Sequence, residues 1–166
     1  MEIRPPVRVT HTYTQTLDGS PAEVFPLLCP VREADWVPGW TARLVLSDSG
    51  VAEPDCVFLT PDAAVSPEAE AIWTVLQHDP AAGIVEMLKV TPGFLVVRLT
   101  IVLRPHEGSG CDATVTYRYT ALGPDGEAYV RKRTAAAYAE FMRGWENALN
   151  AYLRAGRGNV TAEAAT

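Results

Sequence analysis

The chain has 166 residues, of which 48% are hydrophobic, the proportions of one soluble globular domain with a substantial core. Twenty acidic residues against fourteen scattered basic ones leave a net charge of −6, which argues against a nucleic-acid partner. No apolar run approaches the ~20 residues that span a bilayer, and MEIRPPVRVT lacks the layout of a signal peptide, so a cytoplasmic location with no membrane span is expected.

In chain order, residues 7–17 form the first predicted strand. Val7, Val9, His11, Tyr13, Gln15 and Leu17 occupy one face, and Thr10, Thr12, Thr14 and Thr16 the other. Asp18-Gly19 turns the chain. Ser20 then caps a short helix, with Pro21 in the first helical position and Glu23 completing a capping box. Cys29-Pro30 limits that helix, and a loop or second short helix follows, carrying Trp36 and Trp40.

Further strands are predicted at 42–47, 55–60, 70–78, 84–90, 94–104 and 113–122. Ser-Gly, Asp79-Pro80 and Pro92-Gly93 turns join several of them, and 61–67 is loop by composition. Seven strands with hairpin-sized connections predict an antiparallel sheet. A single helix is predicted over 126–155, roughly 45 Å long. Its apolar stripe is Val130, Thr134, Ala137, Tyr138, Phe141, Trp145, Ala148, Leu149 and Tyr152, with Lys132, Arg143, Asn147, Asn150 and Arg154 on the opposite side. Arg131-Lys132-Arg133 is read as a solvated helix face. One domain over 1–156 and a flexible tail at 157–166 complete the expected organisation.

The segments SPAEVFPLLCPVREADWVPGW, WTVLQHDP, VTPG, VTYRYTALGPDG and FMRGWENALNAYL occur in this order along almost the whole chain. Their pattern of strand, short helix pair, six strands and long helix resembles the START/Bet v 1-like superfamily, also known as SRPBCC or polyketide cyclase/dehydratase-like, and in particular a bacterial branch of it. The resemblance implies an α+β helix-grip fold, a curved seven-stranded antiparallel sheet wrapped around a long C-terminal helix. It also implies a ligand cavity between sheet and helix.

The inward faces supply the candidate ligand-binding residues. They are His11, Tyr13, Trp73, Met87, Tyr117 and Tyr119 on strands, Phe141, Gly144 and Trp145 on the helix, and Trp36 near the mouth. Each aromatic has a competing reading as plain core. Trp36 either gates the cavity or seals the base of the fold. Gly144, costly within a helix, either opens space for a ligand or allows close packing on a strand.

Catalytic signals are sparse. No nucleophile elbow, HExxH, phosphate loop or paired-carboxylate pattern is present, and no catalytic residue is assigned. His11 with Tyr13, Tyr117 or Tyr119 could serve proton transfer, as the cyclases of the resembled superfamily require. Glu86 is a strand acid that either faces inward with a raised pKa or points outward, and Arg98 is expected in solvent. Cys29, Cys56 and Cys111, with His11, His78 and His106, lack ligand spacing, so no metal or cofactor is expected.

Two functions follow. The first is carrier-like binding of a small hydrophobic or aromatic ligand. The alternative is a polyketide cyclase/dehydratase-type enzyme using cavity His and Tyr. An interaction module on the same fold has no specific support, and no oligomeric state is assigned.

Overall fold

The structure, a computed structural model, describes residues 3–106 and 108–163. The strands are β1 (Arg8–Leu17), β2 (Leu44–Leu46), β3 (Val57–Pro61), β4 (Glu70–Asp79), β5 (Ile84–Thr91), β6 (Leu95–Pro105) and β7 (Cys111–Ala121). They form one sheet in the order β1-β7-β6-β5-β4-β3-β2, with every neighbouring pair antiparallel. The long crossover from β1 at one edge to β2 at the other carries the short helices. The remaining strands follow as a meander.

Helix α1 (Pro21–Val24) starts with the expected capping box. The Ser20 hydroxyl and Glu23 backbone meet at one end of it, and Glu23 returns a carboxylate to the Ser20 backbone. Two 3₁₀ turns continue it, Phe25–Leu28 and Arg32–Asp35. Val24, Phe25, Leu27 and Leu28 are buried there, so this segment plugs one end of the sheet.

The C-terminal helix is not single. Helix α2 (Pro124–Lys132) ends where Arg133 becomes extended, and α3 (Ala135–Glu163) begins after Thr134. The Thr134 hydroxyl accepts from the Ala137 amide at 3.1 Å, a capping contact that sequence periodicity alone does not reveal. Helix α3 also passes Gly156 rather than stopping there. Of the expected tail, 157–163 continue the helix and 164–166 lie outside the described residues.

Packing of α3 corrects its stripe. Tyr138, Met142, Leu149 and Leu153 are buried, spaced four, seven and four residues apart. Met142 is the centre of that face, fully buried, whereas Phe141 sits at its margin, 43% exposed. Asn150, expected on the polar side, turns inward. Its Oδ1 accepts from the Asp18 amide at 2.9 Å, and its Nδ2 donates to the Thr16 carbonyl at 3.0 Å.

Helix α3 lies along β1. Gln15 Nε2 donates to the Met142 carbonyl at 3.0 Å. The Glu146 carboxylate accepts from the Tyr13 hydroxyl and the Thr16 amide, each at 3.0 Å. Tyr138 reaches across to the Val115 carbonyl at 2.8 Å. The sheet edge at β1 is therefore fastened to the helix, and the sheet curls away from it toward β2. Helix α2 comes close to the sheet because residue 126 is glycine: a Cβ there would collide with the Phe94 carbonyl oxygen.

Candidate functional site

Between the curled sheet and the helices lies a cavity of about 390 Å³. Strands β3 to β7 supply its walls through alternate residues. Phe58, Trp73, Met87, Leu95, Val97, Leu99, Tyr117 and Tyr119 all face it. Strands of period two place those side chains on one face, and the sheet's curvature gathers them. Phe58 and Trp73 are cross-strand partners stacked at 5.5 Å and 9°. Trp73 is held in place by its Nε1, which donates to the Thr60 hydroxyl at 3.0 Å. Gly39, Thr41, Pro61 and Phe141, all exposed, mark the open side.

Six of the ten sequence candidates border this space: Trp73, Met87, Tyr117, Tyr119, Phe141 and Trp145. The other four lie elsewhere. His11 Nε2 donates to the Arg133 carbonyl at 2.8 Å and the ring stacks on Tyr138, so it joins β1 to the α2–α3 break. Tyr13 is taken up by Glu146. Both face inward as expected, but β1 is the strand that α3 covers, and no space remains there. Trp36 donates through Nε1 to the Leu27 carbonyl at 2.9 Å and meets Trp145 edge-on at 5.6 Å. It seals the fold rather than lining the cavity.

Gly144 also departs from expectation. It is exposed on α3, beside a surface groove shared with Trp36, Pro38 and Trp145, and a Cβ built on it meets nothing within 4 Å. It neither opens the interior nor permits close packing. Glu86 is likewise outside: its carboxylate accepts from Arg98 at 2.6 Å on the outer face of the sheet. The exposed Arg98 stands as expected.

The acidic and basic side chains that border the cavity, Glu33, Asp62, Lys89 and Arg133, were not among the sequence candidates. Glu33 lies in the second 3₁₀ turn, only 4% exposed, and borders the cavity. Its flanking residues Arg32 and Asp35 pair with each other at 2.7 Å on the outside. Trp36, anchored to Leu27, fixes the turn, and Glu33 is left pointing in. No hydrogen-bond donor or cation meets its carboxyl among the described residues. Burial pushes its pKa up to about 8, so the group is largely protonated at neutral pH. The sequence READ looks like a solvated turn, and only the tertiary arrangement separates its inner acid from its outer pair.

Tyr117 shares this end of the cavity. Burial drives its pKa well above the usual phenol value, and Tyr119 and Glu33 push in the same direction. At the other polar point, Asp62 accepts from the Thr91 hydroxyl at 2.6 Å and from Lys89 at 2.9 Å. Burial works to raise the Asp62 pKa, but these bonds and the Lys89 charge outweigh it and hold the value low.

Arg133 is the third polar feature. Of the basic triplet, Arg131 and Lys132 are exposed as expected, but Arg133 is half-buried and borders the cavity. Its guanidinium lies 4.2 Å from the Tyr129 ring centre and 5.8 Å from that of Tyr119. Burial raises the Tyr119 pKa to about 12 against the pull of that charge. Among the described residues, no three His, Cys, Asp or Glu side chains converge on a point that could hold a metal ion. Among the described residues, no helix is long and apolar enough to cross a membrane.

No family model and no curated protein sequence matches the chain. Solved structures do. A truncated norcoclaurine synthase from Thalictrum flavum superposes with a TM-score of 0.64 at 12% identity, over 88% of this chain and 96% of that one. Ara h 8.0201 gives 0.60 at 16% identity, over 89% and 99%. Protein CV1439 from Chromobacterium violaceum gives 0.57 at 18%, over 86% and 95%. The chain has the Bet v 1-like helix-grip fold. At these identities the likeness concerns architecture, and function is argued from the cavity.

Proposed function

We propose that this protein binds a small apolar or aromatic molecule between its sheet and C-terminal helices and acts as a carrier. The observation that supports this most is the cavity itself. Its volume of about 390 Å³ is in the range of small-molecule sites, its walls are mainly aromatic and aliphatic, and its few polar groups are concentrated at Glu33, Asp62–Lys89 and Arg133. A further norcoclaurine synthase structure, similar to this chain at a TM-score of 0.61 and 13% identity, is a complex with dopamine and hydroxybenzaldehyde. Aromatic occupants of comparable size suit the Phe58, Trp73, Tyr117 and Tyr119 walls here. Native mass spectrometry of protein purified from its own host tests the reading. A retained small-molecule adduct is expected; absence of any adduct, together with no saturable binding of naphthalene-based probes, overturns it.

One observation favours a second reading, a proton-transfer enzyme of the cyclase or dehydratase kind. Glu33 is a carboxyl whose pKa of about 8 lies close to neutrality, beside Tyr117 in a cavity. This replaces His11, which is committed to Arg133 and Tyr138. Deuterium exchange from solvent into the methyl group of an aryl methyl ketone distinguishes the two. A carrier leaves exchange at the background rate, whereas an enzyme accelerates it and loses the acceleration in Glu33→Gln with ketone binding retained.

A further inference from the structure

Three basic side chains are half-buried among the described residues: Arg32, Lys89 and Arg133. Arg32 is paired with Asp35 and Lys89 with Asp62, at 2.7 and 2.9 Å. Arg133 has no carboxylate partner among the described residues and is flanked only by the rings of Tyr129 and Tyr119. Partial burial strips water from a guanidinium that no carboxylate among the described residues neutralises. Its backbone is fixed as well, since the Arg133 carbonyl is bonded to His11 and the residue sits in the break between α2 and α3.

The same cavity holds a second unpartnered polar group. Glu33 is 4% exposed, faces the cavity, and finds no hydrogen-bond partner among the described residues. Its carboxyl opens onto the cavity, where a guest can meet it. Two such groups around one apolar chamber define a complementary guest.

We propose that the ligand is a small amphiphilic carboxylic acid, with an aromatic or otherwise apolar body, whose carboxylate pairs with Arg133 and whose remote oxygen accepts a hydrogen bond from Glu33. The inference rests on the cavity-binding reading above and deepens it. The planar guanidinium suits a carboxylate in bidentate geometry. A phosphate dianion fits less well, because Lys89 is already neutralised by Asp62 and leaves Arg133 as the single uncompensated positive charge in the lining. Glu33 does not compete as a counter-ion, since burial keeps it protonated at neutral pH. A carboxylic O–H donates, so the matching group is a carbonyl, ether or similar acceptor.

Isothermal titration at neutral pH with three probes tests this: 6-acetyl-2-naphthoate, its methyl ester, and 2-naphthoate without the acetyl oxygen. The acid is expected to bind roughly tenfold more tightly than the ester, the scale of a charge-assisted hydrogen bond. Arg133→Met should erase that preference, so that acid and ester bind that variant equally, while Arg133→Lys retains part of it. Glu33→Leu should erase the advantage of the acetyl probe over 2-naphthoate. Circular dichroism and melting of each variant confirm that the fold is kept.

Equal binding of acid and ester overturns the proposal and leaves the cavity reading standing. So does an acid preference that survives Arg133→Met. Displacement of the acid by inorganic phosphate at similar concentration overturns the choice of a carboxylate. Failure of all three probes to bind overturns this inference; the cavity reading falls with it only if the protein purified from its own host also carries no small-molecule adduct.

Discussion

Two glutamates, half-buried Glu146 at the β1 edge and buried Glu33 at the cavity, are treated differently. Glu146 on α3 meets the Tyr13 hydroxyl and the Thr16 amide, so both its oxygens are occupied. Glu33 meets no side-chain partner among the described residues and borders the cavity. The contrast extends to the whole molecule. The half beneath α3, at β1, is closed by Gln15, Tyr138, Glu146 and Asn150, each bonded across to sheet or helix. The half over β3 to β6 keeps its aromatic walls apart. Cross-linking hydrogen bonds are concentrated in the first half, and open space in the second.

The largest expected effect comes from the unmatched acid. The Glu33 pKa is raised from 4.5 to about 8 in the fold, so the folded state holds a proton that the unfolded state releases across that window. Its contribution is fully present below pH 4.5 and is lost as pH rises toward 8, by up to about 1.4 kcal/mol per pH unit. Glu33→Gln should flatten this decline. Urea unfolding of both proteins across the window measures it, and parallel curves would show that Glu33 is not buried as described.

On the closed side, Asn150→Leu should cost about 2–4 kcal/mol, because the Asp18 amide and the Thr16 carbonyl both lose their partner. A shift in the urea midpoint equivalent to less than half a kcal/mol would contradict the division of labour between the halves.

A matched pair of substitutions sharpens the comparison further. Val115 is buried in the filled half, and Val97 lines the cavity. Val115→Phe should overpack and destabilise by about 1–3 kcal/mol. Val97→Phe should leave stability nearly unchanged while abolishing probe binding. If both variants destabilise equally, the space over β3 to β6 is not open to a side chain.

The smallest effect is predicted at Gly144, where a Cβ meets open solvent. Gly144→Ala should raise stability by somewhat under 1 kcal/mol through helix propensity alone, with probe affinity unchanged. A loss of affinity in titration would mean that the surface groove beside Trp36 takes part in binding.

The sequence by itself determined the seven strands, the capped short helix and their order, though not the break between α2 and α3. Alternation along 7–17 and 113–122, the Ser20–Glu23 capping box and the turns at Asp79-Pro80 and Pro92-Gly93 are local signals, and local geometry reads them directly. It also assigned Trp73, Met87, Tyr117 and Tyr119 to the inward face, because a period of two fixes a strand's face once one inward residue is known. Tertiary structure decided which inward face is covered and which is hollow. His11 and Tyr13 point inward like Tyr117 and Tyr119, yet α3 settles on β1 and takes up the first pair. It likewise decided that Glu33 and Arg133, each beside solvated charges in the sequence, turn into the cavity. The direction of a side chain in a 3₁₀ turn or a helix break is set by distant anchors, here Trp36 on Leu27 and His11 on the Arg133 carbonyl. No periodicity encodes such anchors, so the chemistry of the cavity emerges only when the chain has closed around it.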